Sequence, residues 1–316
     1  MLVGKWIPLK FIHPLYHFKP LSSNAEGLFC VLYLMTLSIR IVCSKLLFMM
    51  LVFMNSFPFF MVNAFGNGPQ SGNPAGVCLL DEWKSTQELQ SLASQISLPE
   101  TAFVIPSKKN SWAIRWFSIT DEVDLCGHAT LAAAHCISKT HQSKEIKFSS
   151  KSGILKAKVH SDETVSITLP ASTARPGKLS PQLVEGLGAY PEGVWIGKNY
   201  LSLFESEEVV LSLQPDFGIL RCLREVVGII VTAPSAKKDY DFVSRYFAPR
   251  IGINEDHATG SAHCMLVPFW AKRFGKKKLH AIQLSERGGA FYGEDMGKEI
   301  VLRGSAEEFM AGEIKF

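Results

Sequence analysis

The pattern of apolar and polar positions changes character once along the chain. Residues 28–63 are densely apolar and show neither helical nor strand periodicity, whereas everything after them alternates between short β-like runs and one helical stretch. FPFFMVNAF (57–65) is rich in strand-forming residues and stops at Gly66-Asn67-Gly68-Pro69, a turn signal. Gly72-Asn73-Pro74 precedes the apolar run AGVCLL (75–80). Leu89, Leu92, Ala93 and Ile96 follow at 3–4 spacing, predicting a helix over 84–97. Strands are predicted at TAFVI (101–105), WAIRWFS (112–118), KFSS (147–150) and TVSITLP (164–170). PASTARPGK (170–178) has the composition of a linker. A second α/β half follows, with strands predicted near VVLSL (209–213), VGIIVTA (227–233) and IVLRG (300–304).

Two stretches share one grammar: FSITDEVDLCGHATLAAAHCI (117–137) and FAPRIGINEDHATGSAHCMLVPFW (247–270). Each runs from an aromatic strand end through an irregular acidic stretch and a glycine into a helix of small residues. Ala129, Ala132, Ala133 and Ala134 would let a sheet approach the first helix closely, and Ala262 the second. The reading is a duplicated α/β (α+β) fold of two pseudo-symmetric lobes, each a curled mixed sheet around a central helix. The boundaries expected are 1–57 for an apolar extension, 58–170 for the first lobe and 171–316 for the second.

The extension admits three readings. A spanning helix needs about 20 predominantly apolar residues, and Arg40 and Lys45 interrupt this run. Residues 28–54 are then a signal anchor, an import signal, or an untargeted extension or gene-model artefact. Membrane attachment stands or falls with that segment; otherwise a cytoplasmic location is expected. The seven cysteines form no CxxC pair and no zinc spacing, which argues for a reducing compartment. The formal net charge of +4 has no basic stripe behind it, so composition does not call for nucleic acid. There is no P-loop and no dinucleotide-binding GxGxxG, and neither a cofactor nor a metal is implied.

Chemistry concentrates at the two helix starts. A helix N-terminus offers unpaired N–H groups and about +0.5 charge, a ready anion site. Gly127 and Gly260 would let an anion approach the backbone there. His128 reads either as a substrate or proton-relay group or as a capping or core histidine. Asp256, four residues before Gly260, is either functional or a plain N-cap. From its position alone Glu100 reads as an exposed strand-edge carboxylate, Cys126 as a buried structural thiol, and His263-Cys264 as core.

GNPAGVCLL (72–80), LPETAFV (98–104), IRWFSITDEVDLCGHATLAAA (114–134), SRYFAPRIGINEDHATGSAH (244–263) and SERGG (285–289) resemble the successive signature blocks of the PhzF-like (phenazine-biosynthesis F) isomerase family. The resemblance spans about residues 58–316. It implies the diaminopimelate-epimerase-type fold, with the active site between the lobes. It also implies a cofactor-independent isomerase that moves a proton between carbons of a small carboxylated substrate. Glu100 matches the family's acid/base, with His128 and Gly127 from the first lobe and Asp256, Gly260 and Ser261 from the second. Gly72 and Asn73 match the turn that closes the pocket. A homodimer is open. So is a catalytically weak or inactive binding or regulatory protein on the same scaffold.

Three departures stand out. Two-thiol racemases of this superfold place a cysteine at each helix start, whereas here Cys126 occupies the first position and Thr259 the second. His257 stands where the family has proline. The segment from Gly186 to Ser212 looks short, as if part of a strand pair were missing.

Overall fold

The computed structural model describes residues 39–41, 56–108 and 110–315. The chain divides into a unit of residues 1–55 and a second unit, Ser56–Phe316. Apart from 39–41, the apolar stretch at 28–54 lies outside the described residues. Among the described residues no helix is long and apolar enough to cross a membrane.

In the second unit the first half runs β1 (Ser56–Ala64), β2 (Asn73–Leu79), helix α1 (Thr86–Ile96), β3 (Glu100–Lys108), β4 (Ser111–Phe117), β5 (Glu122–Val123), helix α2 (Gly127–His141), β6 (Glu145–Ser150), β7 (Gly153–Val159) and β8 (Val165–Pro170). After β9 (Arg175–Pro176) and helix α3 (Pro181–Leu187), the second half runs β10 (Gly193–Ile196), β11 (Tyr200–Leu203), helices α4 (Glu207–Ser212) and α5 (Phe217–Leu220), β12 (Ile229–Pro234) and β13 (Phe242–Phe247). It ends with helix α6 (Gly260–Phe274), β14 (Lys278–Gln283), β15 (Gly289–Asp295), β16 (Glu299–Gly304) and β17 (Ala306–Lys315).

The pairing repeats. β1 is antiparallel to β2, β2 parallel to β3, β3 antiparallel to β4 and β4 parallel to β6, with β7 and β8 following antiparallel. The series from β10 through β11, β12, β13, β14 and β15 to β16 has the same sequence of directions. The halves are joined reciprocally. β8 pairs with β16, β9 crosses to pair with β10, and β17 returns to pair with β1. Each half therefore lends its last strand to the other.

Helices α2 and α6 sit inside these sheets. Every residue of α2 from Gly127 to Ile137 is buried, as expected of a helix without a polar face. Its alanines let β1, β2, β3, β7 and β8 close around it. In α6, Pro268 has no N–H to give the Cys264 carbonyl. The N–H of Ser172 takes that place at 2.9 Å, fastening the segment between the halves to the helix.

One expectation fails in the second half. Residues near 209–213 are helical, because Ser206 Oγ accepts the Val209 N–H and Glu207 and Glu208 fill the first turn. Cap and dipole together outweigh the β-branched preference of two valines. The segment from Gly186 to Ser212 holds one short strand pair, β10 with β11, in four antiparallel rungs.

Candidate active site

Both central helices begin at the same place. A Cβ added to Gly127 would lie 3.4 Å from Gly260 Cα, and one added to Gly260 would lie 3.4 Å from Gly127 Cα. Neither start has an oxygen cap from its own N-cap residue. Thr259 turns its hydroxyl away from α6, and α2 has only the Cys126 sulfur, a weak acceptor, beside the N–H groups of His128 and Ala129. Two positive helix ends thus converge on one point.

Glu100 opens β3 beside Ala75 of β2, and its side chain is 16% exposed. The exposed strand-edge reading is therefore wrong: the turn before β2 and the loop carrying Asp256 come from far along the chain. Burial raises its pKa to about 8, and the charge of Asp256 adds to the effect. His128 Nε2 lies 3.3 Å from Glu100 Oε2, but in a direction that leaves it without a hydrogen-bond partner. Burial lowers the pKa of His128, so the contact is between neutral groups at neutral pH and is not an ion pair. The Cys126 sulfur is 3.5 Å from His128 Nδ1, and burial first, then the charge of Glu100, holds the thiol protonated.

Asp256 is not an N-cap. Its Oδ1 accepts from Asn73 Nδ2 at 2.7 Å and from the His257 N–H at 3.0 Å, and its Oδ2 accepts from Thr259 Oγ1 at 2.5 Å. Asn73, wholly buried, also donates to the Ala258 carbonyl at 3.2 Å. Gly72 has both backbone polar groups occupied: its N–H donates to Gly288 O and its carbonyl accepts from Arg287 Nε. It shapes the turn, at φ +81°, instead of offering a donor. Ser261 is half-buried one residue into α6.

A cleft of about 510 Å³ lies alongside, between Pro99, Ser118 and Thr120 on one side and Asn254, Asp256 and His257 on the other. Glu100, Cys126 and His128 place one ligand atom each within 4.8 Å of one another and could hold a soft divalent ion. Metal ligation needs those groups deprotonated, which burial opposes for the carboxyl and the thiol.

The sequence reading missed Tyr246, Gln283 and Arg287. Tyr246 carries a raised pKa from burial and from the charges of Asp256 and Glu100. Arg287 lies within the SERGG block, but no local pattern distinguishes its clamp on Gly72 and Asn63. Gln283 has no sequence signal.

The chain matches the family described as phenazine biosynthesis-like protein over residues 62–182 and 196–312. An uncharacterised isomerase of Pseudomonas aeruginosa is 41% identical over 261 residues, covering 81% of this chain and 98% of the relative. The human phenazine biosynthesis-like domain-containing protein is 32% identical over 260 residues, covering 73% and 89%. Among solved structures, a PhzF-family protein of Enterococcus faecalis superimposes with a TM-score of 0.78 at 35% identity, over 83% of this chain and all of that one. A hydroxyproline epimerase of Agrobacterium vitis has a TM-score of 0.59 at 9% identity over 83% of this chain and 93% of that one, a likeness of fold alone.

Proposed function

The chain belongs to the phenazine biosynthesis-like protein family and is an isomerase, and on that premise we propose that Glu100 is its single acid/base. Glu100 takes a proton from one carbon of a small carboxylated substrate and returns it to another. The observation that carries this reading is a mostly buried carboxyl 3.3 Å from His128 beside two converging helix starts, where burial raises its pKa to about 8. Such a group is mostly protonated at neutral pH, yet about a tenth is ionised and able to act as base.

The starts of α2 and α6 hold the substrate carboxylate and stabilise the negative charge that develops when the proton leaves. His128, neutral and with a buried Nε2 that has no hydrogen-bond partner, donates to or accepts from the substrate. Asp256, fixed by Asn73 and Thr259, orients its polar group. The N-cap pair of Cys126 and Thr259 argues against symmetric two-thiol racemisation, because the second position has no thiol.

Solvent deuterium incorporation into candidate hydroxy- and dicarboxylic acids tests this. Exchange by the native chain and its loss in Glu100→Gln, with binding retained, is the expected result. Binding without exchange in the native chain would instead make this a binding protein on an isomerase scaffold.

A further inference from the structure

We propose that Gln283 is a positioning residue that acts on Glu100 through Thr259 and Asp256. The inference rests on reading Glu100 as the acid/base, but the relay itself is visible in hydrogen bonds that involve neither Glu100 nor a substrate. Gln283 is the last residue of β14 and is wholly buried. A buried amide has two donor hydrogens and one acceptor oxygen to satisfy. All are used on the loop that carries Asp256. Gln283 Oε1 accepts the Thr259 N–H at 2.8 Å, while Nε2 donates to the Asp256 carbonyl at 2.7 Å and to Thr259 Oγ1 at 3.1 Å.

The direction of these bonds matters. Because Thr259 Oγ1 accepts from the amide, its own proton points elsewhere, and Asp256 Oδ2 receives it at 2.5 Å. The chain of donors runs from Gln283 to Thr259 to Asp256 and ends on a carboxylate oxygen. Residues 254–259 belong to no helix or strand ladder, so these bonds, with Asn73 from the other half and the His257 N–H, hold the carboxylate, and the Asp256 N–H donates to the Tyr246 carbonyl at 3.0 Å.

The relay also explains the second N-cap. A hydroxyl accepts and donates well, whereas a thiol does both weakly. At this N-cap the Thr259 hydroxyl is therefore a strut between Gln283 and Asp256.

The groups facing Glu100 are His128 and Cys126 at the start of α2, Asp256 on the loop and Tyr246 of β13, while His257 acts on His128. Of these Asp256 is the one whose charge raises the Glu100 pKa. If Gln283 is lost, Thr259 is no longer aimed at Oδ2, Asp256 is held through Oδ1 by Asn73 and the His257 N–H, and the carboxylate can tilt so that Glu100 feels less of its charge.

The test is the titration of the Glu100 carboxyl carbon by 13C NMR in the full chain carrying 13C-labelled glutamate, with Glu100→Gln assigning the signal. Gln283→Met keeps the side-chain length and removes every bond. It should lower the midpoint by at least about half a pH unit, which is about 0.7 kcal/mol. Asp256→Asn should lower it as well, and the double variant no further than Asp256→Asn alone. Thr259→Val, which interrupts the relay but leaves Gln283 in place, should reproduce the shift, and Thr259→Ser should restore it. The Thr259 pair keeps the test decisive should Gln283→Met fail to fold. An unmoved midpoint in Gln283→Met or in Thr259→Val overturns the proposal, as do additive shifts in the double variant. None of these readouts needs turnover, so failure of the acid/base assignment would show separately, as deuterium exchange that survives Glu100→Gln.

Discussion

Gly127 and Gly260, 133 positions apart in the chain, face each other with 3.4 Å between the Cα of one and the place a Cβ would take on the other. This spacing lets two helix ends act on one anion. It also yields a prediction. Either glycine alone can become alanine at the limit of ordinary contact, and because helix propensity favours alanine each single variant should stay within about 1 kcal/mol of the native chain. Both together put two methyls into one gap. Urea unfolding of the single and double variants should show a coupling of about 1–2 kcal/mol beyond additivity. Additive costs would mean that the helix ends can separate freely.

Glu100→Gln should reduce solvent exchange of a bound substrate's C–H by about 10²–10⁴-fold, the range for loss of a general acid–base group. Cys126→Ser should retain most of it, because burial keeps the thiol protonated and Thr259 gives it no partner. Deuterium incorporation followed by 1H NMR separates the two. The reverse pattern would make this a thiol enzyme.

The raised pKa of Glu100 has a consequence for stability. A carboxyl ionises near 4.5 in the unfolded chain and near 8 in the folded one, so between those pH values the folded state holds the extra proton. Stability from this group is full below about pH 4.5, falls as pH rises and is lowest above about pH 8. Glu100→Gln removes the dependence. The variant should be more stable than the native chain at pH 9, by at most about 5 kcal/mol, and the gain should vanish near pH 4.5. Thermal unfolding of both proteins across that range checks the sign.

Gly72→Ala should be severely destabilising. The residue sits at φ +81°, and a Cβ there would lie 2.5 Å from Ala64 O and 2.7 Å from Gly66 N, both backbone atoms that cannot move aside. Strain and clash together predict a loss of about 3 kcal/mol or more. Denaturant midpoints measure it, and a loss below 1 kcal/mol would show that the turn can rearrange.

The periodicity of the chain carried much of the architecture. Alternating strands, one amphipathic helix and two glycine-led helices of small residues were all legible, because each depends on neighbours within about one turn or one strand. The duplicated grammar around Gly127 and Gly260 already pointed to two related halves. The same local logic failed at Val209 and Val210, whose β preference yields to the Ser206 cap.

What the sequence determined by itself was most of the first half's strands, the helix at Thr86–Ile96, the two glycine-led helices and the motif residues at their ends, whereas β10, β11 and β13 to β15 had no reading. Glu100 could be named from the LPETAFV block, and the family resemblance implied its burial between the lobes, but from position alone it read as a surface carboxylate. Tertiary structure decided that Asn73 and Asp256 bond across 183 positions, that Arg287 clamps the Gly72 turn, and that Gln283 spends its whole amide on one loop. The physical reason is desolvation. A carboxyl's pKa depends on which distant segments exclude water and which charges they bring, and no local periodicity encodes either.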